Sequence, residues 1–331
     1  MAPRILFFGT GAVGAGYLWI LSRKVPAENL VAVCRSNFDA ASQHGFRMNS
    51  TLWGEFTYRP AVVRSVDEAA ALDPLYPFDY VIIASKAIPS SPSTAQLIRP
   101  AIAKGTSIVL FQNGIAIEEE YSKLYPKNPV LSTVVYFPAT QTSPAVINHT
   151  ELETLLIGTY PADAPAWHAE AARNLVQLVI DCGATAKHHD DVQPQRWSKL
   201  LINASLNPIC ALSRSRDLQF LESGHEAQEV MRDLMAEIVA VAQAYGYSNL
   251  SQASVDNGIE RVKNRKPPGV EPSMQTDAQA GRNMEVDAIL GNLLRLAREK
   301  GVNVPILRTT YAYLKALDAS FTRSRQGGNF S

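Results

Sequence analysis

The chain has 331 residues, 31 Lys+Arg against 31 Asp+Glu, and a hydrophobic fraction of 46%. At roughly 100 to 200 residues per domain, that length predicts two domains. The even charge excludes the strongly basic profile of a nucleic-acid or anionic-membrane binder and points to a small-molecule ligand.

Arg4 precedes an uncharged stretch, Ile5 to Leu21, with the outline of a signal peptide. Its four glycines, Gly9, Gly11, Gly14 and Gly16, argue against an export segment or a membrane span, which needs about 20 strongly apolar residues. Short apolar runs at Ile5 to Phe8, Leu30 to Cys34, Tyr80 to Ala84, Ser107 to Phe111 and Val130 to Phe137 alternate with helical stretches. Up to about Asp181 this is the pattern of βαβ units and a largely parallel sheet. Cys34, Cys182 and Cys210 are far apart and set in apolar runs, so they read as reduced, buried thiols of a cytoplasmic protein.

Beyond Pro194 long helical periods take over. Val230, Met231, Leu234, Met235, Ile238, Val241, Ala242 and Tyr245 keep one helix face apolar, and Gly246 ends that helix. Asn264 to Pro272 reads as a loop. A second helix from about Thr276 to Lys300 buries Ile289, Leu290, Leu293, Leu294 and Ala297 and stops at Gly301, and Pro305 opens another. Ser324 to Ser331 reads as a disordered tail. The predicted domains are residues 1–190 and an all-helical 191–331.

The first strand runs into Gly9-Thr10-Gly11-Ala12-Val13-Gly14 at the mouth of a helix. A G-x-G-x-x-G turn in that place is the mark of a Rossmann-type α/β domain. Gly9 permits the turn, Gly11 lets backbone approach a pyrophosphate, Gly14 allows close packing, and the helix N-terminus favours the phosphates. Where an NAD site expects an acid at the end of the second strand, this chain has Arg35-Ser36. A guanidinium there suits a 2′-phosphate, so the predicted cofactor is NADPH. Two more strand ends place Lys86 and Asn113 on the cofactor side of the sheet, although each is also an ordinary loop residue.

From Arg196 to Pro208 the chain is apolar around most of a helix, interrupted by Lys199, Asn203 and Asn207 at i, i+4 and i+8. Buried polar groups need partners, so the stripe asks for a polar ligand or for a network tying domains together. Pro208 predicts a kink or helix end at Asn207. Composition and spacing alone do not bring Glu285 to Lys199.

Taken in order, these motifs resemble the ketopantoate reductases, also called 2-dehydropantoate 2-reductases. The resemblance covers nearly the whole chain: the glycine turn, Arg35, Lys86, Gln112-Asn113-Gly114, the Lys199/Asn203/Asn207-Pro208 helix, Ser273-Met274 and Glu285-Val286-Asp287. It implies that Lys199 is the general acid and that Glu285 binds and orients the substrate. It also implies that Asn203, Asn207 and Ser273 contact the substrate and that Asn113 positions the nicotinamide end. Met284 stands where the family commonly has threonine, and Gly269-Val270-Glu271-Pro272 precedes Ser273; both departures bear on pocket shape.

The chemistry fits such a reductase. Hydride attack on a ketone builds charge on the carbonyl oxygen, which a nearby ammonium stabilises and protonates. The implied activity is reduction of a small 2-oxo acid by NADPH in pantothenate biosynthesis, with no metal, no nucleic acid and no membrane, and with a homodimer left open. His188-His189 reads as solvated rather than ligating. Two other readings use the same residues: a related NAD(P)-dependent 3-hydroxy acid or polyol-phosphate dehydrogenase, and a non-catalytic NADPH-binding sensor.

Overall fold

The computed structural model describes residues 2–150 and 152–325. The chain forms two compact units, one of residues up to 86, 90–112 and 118–192, the other of 87–89, 113–117 and 193 onward.

In the first unit, twelve strands are seen among the described residues: β1 (Ile5–Phe8), β2 (Leu30–Val33), β3 (Phe46–Ser50), β4 (Gly54–Tyr58), β5 (Ala61–Val63), β6 (Tyr80–Ile83), β7 (Ser107–Leu110), β8 (Val130–Tyr136), β9 (Ala139–Ser143), β10 (Val146–His149), β11 (Thr154–Thr159) and β12 (Ala186–His188). The main sheet runs β12-β11-β8-β7-β6-β1-β2-β5. It is parallel throughout except between β8 and β11. β1, β2, β6 and β7 are apolar and buried at nearly every position, as strands covered on both faces must be. The sheet grows outward in one direction from β1 through β2 to β5 and in the other from β6. The switch point between β1 and β6 is where an open α/β sheet binds its ligand, beyond the carboxyl ends of the strands.

A second sheet, β4-β3-β10-β9, was not foreseen. It packs on the helix Ala12–Ser22, whose Trp19 stacks on Phe56 at 4.3 Å and lies 5.2 Å from Trp53. Every residue of that helix from Gly14 to Leu21 is therefore buried. This accounts for the signal-like stretch: it is a core strand followed by a helix covered on both sides.

The second unit is helical, with its own apolar core. The helix Gln193–Ser213 packs on Ser273–Gln279, His225–Ala244 and Pro305–Arg325. Four expectations are corrected here. Pro208 neither ends nor divides its helix, because its neighbours Leu206, Ile209, Cys210 and Ala211 are buried and their packing outweighs one lost backbone hydrogen bond. Val230 is 40% exposed and lies off the apolar face.

The helix expected over Thr276 to Lys300 is broken. Ser273–Gln279 closes at Gly281, whose φ of +62° suits glycine, and Arg282 donates its backbone N–H to Asp277 O (2.9 Å). Helical structure resumes as a π-segment, Asp287–Gly291, that continues into Asn292–Glu299. Ser324 and Arg325 belong to the last helix rather than to a tail, with the Arg325 guanidinium donating to Gly281 O (2.5 Å). Residues 326–331 lie outside the described residues. Among the described residues no helix is long and apolar enough to cross a membrane.

Candidate active site

The glycine turn is built from β1 outward. Ala84 and Ser85, just past β6, donate backbone N–H groups to Phe8 O at 2.9 and 3.0 Å, which pins the two strand ends together. Gly9 has φ +94°, and a Cβ there would lie 2.4 Å from Ser85 N. A Cβ at Gly14 would lie 2.1 Å from Gly9 O. Both glycines are thus required by the protein itself. Gly11 differs: a Cβ there meets no protein atom within 4 Å, so nothing in the chain's own packing requires a glycine. Gly11 is the N-cap of Ala12–Ser22, with no side-chain cap and no acid in the first turn. That leaves free N–H groups and the positive dipole end for an anion.

Arg35 and Ser36 follow β2 and are exposed, with the Arg35 guanidinium 5.8 Å from the centre of the Phe8 ring at the end of β1. Lys86 is also exposed. Asn37, which the sequence reading passed over, is 5% exposed and donates its amide to Thr10 O (2.6 Å) and to Gln141 Oε1 (2.9 Å). It holds the turn from beneath. A buried amide two residues past the strand-end arginine was the available signal. Gln112 anchors the neighbouring strand end by donating to Ser85 O (2.9 Å). The residues present fit a dinucleotide: a glycine left open, an uncapped helix start and a strand-end guanidinium.

Asn113 belongs to the second unit. Its Oδ1 accepts from Lys199 Nζ at 2.9 Å, and its Nδ2 makes a long 3.5 Å contact to Glu285 Oε2. Glu285 Oε1 accepts the backbone N–H of Ala87 (2.9 Å). One carboxamide therefore bridges an ammonium and a carboxylate 86 residues apart in sequence. Lys199 is half-buried, and its pKa is lowered from 10.5 to about 8, first by burial and then by the nearby Arg196 charge, with Glu285 opposing. An ammonium of that acidity near neutral pH is well matched to giving up a proton.

Asn203 is half-buried, Asn207 is 6% exposed, and Ser273 is exposed at the first turn of its helix. Among the described residues their side chains make no hydrogen bond. Met284 is 1% exposed and part of the helical core, so the departure at this position is met by packing. The loop before Ser273 is held by Asp217, fully buried, which accepts from Val270 N (2.8 Å) and pairs with Arg265. His188 and His189 are half-buried rather than solvated. The described residues contain no group of three or more His, Cys, Asp or Glu placed to hold a metal. The three cysteines are free and buried.

A largely parallel Rossmann-type sheet with a glycine turn left open at its switch point, followed by a helical unit, defines a class of two-unit dinucleotide-binding proteins. Within that class the chain belongs to the ketopantoate reductase family. The family's sequence model, Ketopantoate reductase PanE/ApbA, matches residues 5–162, and its C-terminal model matches residues 191–318. An uncharacterized protein of Saccharomyces cerevisiae is 30% identical, over 98% of this chain and 96% of its own. The crystal structure of 2-dehydropantoate 2-reductase from Methylococcus capsulatus superposes with a TM-score of 0.82 at 32% identity, covering 96% of this chain and 97% of that one. A ternary structure of D-mandelate dehydrogenase with NADH and anilino(oxo)acetate shares the fold, with a TM-score of 0.82 at 19% identity over 96% and 99% of the two chains.

Proposed function

We propose that the chain transfers a hydride from NADPH to the ketone of a small 2-oxo acid, with 2-dehydropantoate as the foremost substrate and pantoate as its product. The observation that carries this reading is the Lys199–Asn113–Glu285 array, an ammonium of lowered pKa joined through one amide to a carboxylate. When bound, NADPH supplies the hydride. The turn at Gly9, Gly11 and Gly14 and the N–H groups behind it hold the pyrophosphate, Arg35 pairs with the 2′-phosphate, Lys86 adds positive charge, and Asn113 positions the nicotinamide end. Lys199 stabilises the negative charge that grows on the carbonyl oxygen and delivers the proton from Nζ. Glu285 binds and orients the substrate, aided by Asn203, Asn207 and Ser273.

The same reading places the chain in the cytoplasm, serving pantothenate biosynthesis. The buried free thiols fit a reducing compartment. The test is oxidation of NADPH and NADH with 2-dehydropantoate and a panel of branched 2-oxo and 3-oxo acids. Turnover of 2-oxo acids with NADPH is the expected result. Turnover of 3-oxo acids alone would favour a hydroxy acid dehydrogenase, and tight NADPH binding without turnover would favour a sensor.

A further inference from the structure

We propose that Arg196 is a positioning residue of this reductase site, gripping the Gly114 carbonyl so that the Asn113 carboxamide stays between Lys199 and Glu285, with Asn292 as its partner on the same segment. The proposal rests on the reading of Lys199 as the proton donor.

Arg196 is 3% exposed and lies three residues before Lys199 on the helix Gln193–Ser213. It donates from NH1 to Gly114 O at 2.9 Å. The next carbonyl, Ile115 O, accepts from Asn292 Nδ2 at 2.8 Å, and Ile115 N donates to Ala288 O at 3.1 Å. Ala288 lies in the π-segment, whose wider turn lets a carbonyl serve a partner outside the helix. Gly114 has φ +110°, and a Cβ there would lie 2.5 Å from Ala288 O, so backbone meets backbone without an intervening side chain. Three bonds on two consecutive residues fix the direction in which Asn113 leaves the segment.

Burying a guanidinium is costly, and an apolar side chain in the same place would hold the helix core with less penalty. Retaining the charge is explained by two actions that an apolar residue lacks: a donor reaching Gly114 O, and a positive charge that pushes Lys199 toward releasing its proton. The lowered pKa of Lys199, with Arg196 as the second cause, agrees with the latter.

The experiment compares Arg196→Met, Arg196→Lys and Asn292→Ala by kcat, by KM for each ligand, by the alkaline limb of the kcat profile, and by NMR titration of the Lys199 amine. Arg196→Met is expected to lower kcat about ten- to a hundredfold through misplacement, with KM for NADPH unchanged. It should also move the alkaline limb and the Lys199 titration upward by about one pH unit, as a like charge is removed. Arg196→Lys should restore the limb and the titration but not kcat, because it keeps the charge and loses the planar fork. Asn292→Ala should lower kcat without moving either.

Parental kcat and an unmoved limb in Arg196→Met would overturn the proposal. So would an equal upward movement in all three variants, which would signal water entry. Retained turnover in Lys199→Ala would instead defeat the reading of Lys199 as the proton donor, while the Lys199 titration in the Arg196 variants would still decide the electrostatic part. Should Arg196→Met fail to fold, Arg196→Lys and Asn292→Ala separate charge from grip by themselves.

Discussion

Lys199→Met is expected to abolish turnover and, at neutral pH, to stabilise the helical unit. The Lys199 pKa falls from 10.5 unfolded to about 8 folded, so the folded chain loses this proton first. Below about pH 8 both states carry it, and the full cost of holding the charge is present. Between about 8 and 10.5 the unfolded chain binds more protons, so stability rises with pH until the penalty is gone. At 1.36 kcal/mol per pH unit, that gap is worth about 3 kcal/mol. Methionine removes the penalty but leaves the Asn113 Oδ1 acceptor and the Glu285 carboxylate without the ammonium, which returns about 1–2 kcal/mol. Urea unfolding at pH 7 should therefore show the methionine variant more stable by about 1–2 kcal/mol, with the advantage gone by about pH 9 and reversed above it. A difference that stays constant with pH would refute this account of the site's electrostatics.

Wild-type kcat should fall as pH rises through about 8, because the acid must be protonated to act. Gly11→Val should abolish NADPH binding in a folded protein, since no protein atom lies within 4 Å of the new Cβ. Gly9→Ala should instead lower the melting temperature, through its clash with Ser85 N and the cost of a positive φ, about 1–2 kcal/mol before any clash. Undiminished cofactor affinity in Gly11→Val would count against the turn as a phosphate cradle. Arg35→Ala should raise KM for NADPH and leave that for NADH nearly unchanged; equal weakening of both would dismiss the 2′-phosphate assignment. Glu285→Gln should raise substrate KM and lower kcat together, measured against unchanged NADPH affinity.

The elements legible in the sequence were those whose signal is local. β1, β2, β6 and β7 are short runs buried on both faces, and the turn at Gly9 needs a positive φ, so hydrophobicity and glycine placement reveal them. The second sheet stayed hidden because β3 alternates buried and exposed residues over only five positions and pairs in parallel with β10, nearly a hundred residues later. The break at Gly281 was masked by the apolar period from Ile289 onward, which was extended backward through a turn closed by Asp277. At Pro208 the expected helix end lost to burial.

The candidate site shows the same division. Lys199, Asn203 and Asn207 can be read as one stripe because helical spacing is local. Asn113, at a strand end, gave no sign of bonding Lys199, and Arg196 marked only where the helical stretch begins. Contacts of Asn113 and Gly114 with a helix over 80 residues away are set by tertiary packing, which spacing does not encode.

The central claim, that Lys199 is the proton donor of a 2-oxo acid reductase, is tested most directly by single-turnover reduction of 2-dehydropantoate with saturating NADPH in the wild type and in Lys199→Ala. The account predicts a loss of roughly 10²- to 10⁴-fold in the rate of reduction, with NADPH affinity unchanged. A folded Lys199→Ala protein that binds both ligands and reduces the substrate at the parental rate would contradict it.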